Sequence, residues 1–120
     1  MQDYAKPIKR LLREYMTEAY ERELHRELTK LDESFAEWRA AKISSGELSY
    51  RVHRYDSGPS RELFRCYNDV DHDMSVAYAI VTGILDEATM PPELLAAIGG
   101  PLRFYRSLKE RGELRMPGES

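Results

Sequence analysis

Residues 7–42 read PIKRLLREYMTEAYERELHRELTKLDESFAEWRAAK, a run with no glycine and no proline after Pro7. Glu, Arg, Leu, Ala and Lys dominate it, residues that lose little side-chain freedom in a helix. Pro7 suits a first helical turn, where the missing N–H had no intrahelical acceptor in any case. Arg10/Glu14 and Glu18/Arg22 lie four apart, Glu23/Arg26 and Glu27/Lys30 three apart, so each pair meets on a helix surface. The stretch reads as one long amphipathic helix.

Its apolar residues form two stripes. Ile8, Leu12, Tyr15 and Ala19 make one; Leu24, Leu28, Leu31, Phe35 and Trp38, spaced 4,3,4,3, make the other. They are out of phase: continuing the first predicts positions 22 and 26, both arginines. A two-residue slip turns the apolar face by roughly 200° at 3.6 residues per turn. A straight helix of this length would measure ~54 Å, while a chain of this size folds to a radius of gyration near ~14 Å. The pattern therefore predicts either a kink near Tyr20 or a homodimer built on the overhanging helix. Leu31, Phe35 and Trp38 are the anchors expected at such an interface. The alternative, that the same three pack on the central helix of their own chain, stays open.

Beyond the long helix, Ser44-x-x-Glu47 has the spacing of a capping box and starts a second helix with Leu48, Val52 and Tyr55 on one face. Asp56-Ser57-Gly58-Pro59 reads as a turn, with Pro59 opening a third helix through Tyr67. A polar break follows at residues 68–73. Residues 76–81, Val-Ala-Tyr-Ala-Ile-Val, are apolar on every face and mark the centre of a bundle, over 76–85. Pro91-Pro92 and Pro101 each open a further helix, and Arg111-Gly112 closes the last. No segment alternates with period two. The fold class is all-α, a compact bundle of about six helices in one domain over residues 1–114, followed by a mobile tail at 115–120.

Composition narrows the function classes. The 120 residues are 42% hydrophobic and 32% charged, with net charge −3 and one cysteine, Cys66. One domain's worth of chain leaves no room for a two-domain enzyme. A lone cysteine makes neither an internal disulfide nor a cysteine-rich zinc site. No apolar run reaches the ~20 residues that cross a bilayer, and MQDYAKPIKR lacks the features of a secretory signal, so the expected location is cytoplasmic, away from membranes.

Few residues carry recognisable chemistry. Asp69, Asp71, His72 and Asp73 are of the types that ligate divalent cations, but aspartates ahead of a helix are also what its positive end favours. His25 sits on a charged helix surface and His53 between Arg51 and Arg54, each reading as structural. No phosphate loop, nucleophile elbow or zinc motif occurs, and no cofactor is expected. Two basic clusters, Lys6/Lys9/Arg10/Arg13 and Arg103/Arg106/Lys109/Arg111 with Phe104 and Tyr105, are where nucleic acid would bind if it does.

Arg65, six residues, then His72 is a further pattern. The spacing resembles the Arg-x4–6-His motif of the HEPN superfamily, small all-helical domains that include metal-free ribonucleases of toxin–antitoxin and defence systems. The resemblance covers residues 65–72 and departs from the commoner motif at Cys66, where a polar residue is usual. It implies that Arg65 stabilises charge on a phosphate and His72 moves the proton of a 2′-hydroxyl.

The leading expectation is a non-enzymatic interaction protein. It would bind a protein partner, or itself, through the long helix and through the turn at residues 56–61, with Ser57 and Arg61 presented there. The metal-independent ribonuclease is the alternative.

Overall fold

The structure, a computed structural model, describes residues 3–118. Among them there is no strand, and six α-helices carry the fold: α1 (Lys6–Arg39), α2 (Ser45–Tyr55), α3 (Arg61–Asn68), α4 (His72–Val81), α5 (Pro92–Ala97) and α6 (Gly99–Glu110). No helix is long and apolar enough to cross a membrane.

α4 is the centre. Ser75, Val76, Ala77, Ala79, Ile80 and Val81 are all buried on it. Around them close Leu85, Met90, Leu94, Ile98 and Leu102 from the C-terminal half, with Leu12 and Ala19 from α1. α4 ends in a left-handed cap: Gly83 takes φ +84° and its N–H returns to the Ile80 carbonyl at 3.2 Å.

α1 has no kink. It passes Tyr20 without interruption for 34 residues, about ~51 Å at 1.5 Å per residue, which matches the 53 Å long axis of the molecule. The phase slip is resolved differently: the buried face does not turn, its chemistry changes. Leu12, Met16, Ala19, Glu23, Glu27 and Ser34 lie on one line down the helix, and Leu12, Ala19, Glu23 and Ser34 are its fully buried residues. The leucine stripe is rotated away from this line by about 100° and looks partly outward. Leu28 is 46% exposed, while Leu24, Leu31 and Phe35 are half-buried.

α2 packs along the C-terminal half of α1 to form a hairpin. Half of its predicted capping box forms. Ser44 Oγ accepts from the Glu47 N–H at 3.0 Å, but the Glu47 carboxylate pairs with Arg51 at 3.1 Å instead of returning to Ser44. Arg51 also donates to Glu37 (2.7 Å) and Ser34 (3.2 Å) on α1, clasping the hairpin. Trp38, 41% exposed, donates its indole N–H to Ser45 Oγ at 3.0 Å.

The predicted turn at residues 56–61 is not one. Asp56–Ser60 is a π-helical segment with Pro59 inside it, joining α2 to α3 along one helical path. A proline ring clashes with the carbonyl four residues back in an α-helix, and one inserted residue opens the turn enough to accept it. Ser57 therefore does not project from a loop. Its hydroxyl donates to the His53 carbonyl at 2.9 Å, and Arg61 is an exposed residue in the first turn of α3.

Leu114 packs on the core, Tyr78 donates to the Arg115 carbonyl at 2.6 Å, and the Arg115 side chain meets Glu62 at 3.3 Å. Glu119 and Ser120 lie outside the described residues.

Candidate functional site

A cavity of about 640 Å³ opens between α1, the π-helical segment, α3, α4 and the returning tail. Each wall follows from a local feature of the sequence. α1 supplies Glu23 and Arg26, because Glu23 occupies the position on the buried line that Leu12 and Ala19 occupy three turns and one turn earlier, respectively. The π-helical segment brings Ser57, Gly58 and Pro59 to the rim; α3 contributes Leu63, Cys66 and Tyr67; the tail crosses with Met116 and Pro117.

At the floor, the Tyr67 hydroxyl donates to the Glu23 carboxylate at 2.5 Å. Tyr67 is 1% and Glu23 4% exposed. A carboxylate removed from water needs donors, and Glu23 has two: Tyr67 and, at the longer distance of 3.5 Å, the Arg26 guanidinium. Burial, with the hydrogen bond to Glu23, pushes the Tyr67 hydroxyl far above the ordinary tyrosine range. Tyr20 lies on Tyr67 with ring centroids 5.3 Å apart. Beside them burial lifts Tyr78 to about 12 and also raises the Cys66 thiol, on which Glu23 acts in the same direction. Cys66 is exposed and faces this cavity.

The other charges on the cavity wall are largely paired within the chain. Glu27 meets Lys30 at 3.1 Å and Arg26 at 3.3 Å, and Glu62 meets Arg115. Arg54 lies over the Tyr50 ring at 5.8 Å and makes no ion pair among the described residues.

Arg65 and His72 are not brought into a common cavity. His72, half-buried at the start of α4, lines a second one of about 430 Å³ with Tyr4, Lys9 and Arg13, whereas Arg65 is exposed on α3 and lines neither. Asp71, His72 and Asp73 line that second cavity together, without Asp69. Among the described residues no three His, Cys, Asp or Glu side chains are placed to hold a metal ion. Asp73 is engaged: Tyr4 donates to its Oδ2 and the Met74 N–H to its Oδ1, each at 2.8 Å. Asp71 caps α4 by position, but its side chain makes no capping bond. In the basic cluster of α6, Arg106 pairs with Glu87 at 2.7 Å and Lys109 donates to the Val81 carbonyl at 3.1 Å.

No family model, curated protein or solved structure matches this chain.

Sequence reading missed Glu23 and Tyr67. Glu23 reads as half of a surface ion pair with Arg26, although the spacing 12, 16, 19, 23 continues the helix face that holds Leu12 and Ala19. A carboxylate on an apolar line is the signal that a buried donor waits opposite.

Proposed function

We propose that this chain is a non-enzymatic interaction protein whose outward leucine face on α1 is covered by the same face of a second copy. The observation that carries the reading is the inversion along the second half of α1. Glu23 and Ser34 are buried there, while Leu28 stands 46% exposed and Leu24, Leu31 and Phe35 are only half covered. An apolar stripe of three helical turns left partly in water marks an association surface.

Charge selects the occupant and its direction. Glu21 and Arg39 are 18 residues apart, five whole turns at 3.6 residues each, so they lie on one line bordering the leucines, at opposite ends. Neither makes an ion pair within the chain among the described residues. An antiparallel second copy sets the acidic end, Glu18 and Glu21, against the basic end, Arg39 and Lys42. A parallel one sets like against like. A two-fold axis near Lys30 closes this pairing and leaves no open surface for further growth.

Light scattering on the protein eluting from a sizing column tests it: the wild type runs as a dimer and Leu28→Glu as a monomer. Because Leu28 is half in water already, the variant keeps the helical circular dichroism of the parent. A wild type that stays monomeric at high concentration ends the proposal. The interaction reading is preferred to the ribonuclease one because exposed apolar side chains on α1 support it, whereas a single spacing, Arg65 to His72, supports the other.

A further inference from the structure

We infer that the cavity beneath the C-terminal tail is a binding site for a small amphiphilic acid, an apolar chain or ring system ending in a single carboxylate. This inference is independent of the dimer, since the leucine face lies about 100° around α1 from the line of Glu23 and Glu27.

Size comes first. About 640 Å³ falls within the ~300–1,000 Å³ of pockets that enclose small ligands. The walls give the body of the ligand: Leu63, Val70, Tyr78, Tyr105 and Met116 offer apolar and aromatic surface, to which an alkyl chain or flat ring binds by leaving water.

The charges give its head. Glu23 is satisfied by Tyr67 and Arg26, Glu27 by Lys30 and Arg26, and Glu62 by Arg115. Each lining acid thus already has its cation or donor, and a cationic ligand would have to break one of these pairs. Arg54 remains as a lining guanidinium with no carboxylate among the described residues, and it sits on the side of the cavity opened by α2. A carboxylate entering there completes a charge-assisted hydrogen bond without displacing an existing one. The body then lies inward along the tyrosines, toward the tail.

Cys66 is the built-in reporter. It is the only cysteine of the chain and faces the cavity, so a bound molecule shields it from reagents. The experiment titrates the full-length protein with decanoate, and with decanol as the uncharged analogue, by calorimetry. In parallel it follows the rate at which iodoacetamide alkylates Cys66. The expected result is one decanoate per chain, saturable protection of Cys66, and decanol binding about tenfold or more weaker, as one charged hydrogen bond implies. Arg54→Gln, a change at an exposed position, removes the preference for decanoate over decanol. Leu28→Glu leaves binding intact, which separates the cavity from the leucine face. The inference is overturned if millimolar decanoate gives no saturable heat and no protection of Cys66, or if Arg54→Gln binds decanoate as tightly as the parent.

Discussion

The Tyr67 hydroxyl donates to the Glu23 carboxylate, joining α3 to α1 across 44 positions of sequence, and neither residue has more than a few per cent of its surface in water. A buried carboxylate that loses its donor keeps the full cost of desolvation. Tyr67→Phe is therefore expected to destabilise the fold by about 1–3 kcal/mol, read as a lower urea midpoint with an unchanged slope. Adding Glu23→Leu to that variant removes the stranded charge and should restore part of the loss. If the double variant is less stable than Tyr67→Phe alone, Glu23 contributes through contacts other than this hydrogen bond.

The same burial sets the response to alkali. Tyr4 and Tyr78 are both lifted to about 12 and Tyr67 is raised as well, against an ordinary value of 10.0. Above pH ~10 the unfolded chain releases these protons while the folded chain holds them, so stability falls with rising pH. The contribution is intact below pH ~10 and is lost as pH climbs through the folded values, near 12 for Tyr4 and Tyr78. Chemical denaturation from pH 8 to 12 should show a plateau and then a decline beginning near 10. Tyr78→Phe should make the decline shallower. A midpoint independent of pH up to 12 would contradict the burial of these hydroxyls.

Much of this architecture is legible in the sequence, because Val76 to Val81 leave no polar face and Pro7, Gly83 and Ser44 mark helix ends by local stereochemistry. The continuity of α2 and α3 is not. Gly58-Pro59 is an ordinary helix terminator, and the passage joins two helices, α2 and α3, that each pack on α1 far along the chain from it. The cavity is illegible for a related reason. Glu23 and Tyr67 are 44 residues apart, and nothing local distinguishes a buried glutamate from its exposed neighbours except the helix phase. That phase was obscured by the leucines, whose stronger pattern belongs to an outward face. Arg54, the lining cation without a carboxylate, becomes notable only once every other charge lining the cavity is seen with its partner.

Two glycines test two different steric rules. Gly83 has nothing within 4 Å of an added Cβ but takes φ +84°, where an L side chain costs about 1–2 kcal/mol, so Gly83→Ala should lower the thermal midpoint. Gly58 has a helical backbone and directly precedes Pro59, a position where a Cβ meets the proline ring, so Gly58→Ala should lower the midpoint as well. A Gly58→Ala variant as stable as the parent would mean that the π-helical passage itself relieves the clash with the proline ring.

The direction of the proposed dimer rests on charges that a swap can test. Glu21→Lys places a cation opposite Arg39 of the second copy, and Arg39→Glu places an anion opposite Glu21, so each single reversal should weaken association. Combined, the two restore opposite signs across the interface and should return the dissociation constant toward that of the wild type. Both residues are exposed, so the monomer's stability should change little. An exposed ion pair is worth roughly 0–1 kcal/mol, and two-fold symmetry supplies two such pairs, which makes a several-fold change per single reversal the expected scale. Raising the salt concentration should shrink these differences, because pairs at the rim are screened over about 8–10 Å at ordinary ionic strength. Sedimentation equilibrium of the four proteins at low and high salt measures both effects. A parallel arrangement predicts no such pattern. There Glu21 faces Glu21 and Arg39 faces Arg39, either single reversal leaves one like-charged pair at each end, and the double variant gains nothing over the singles.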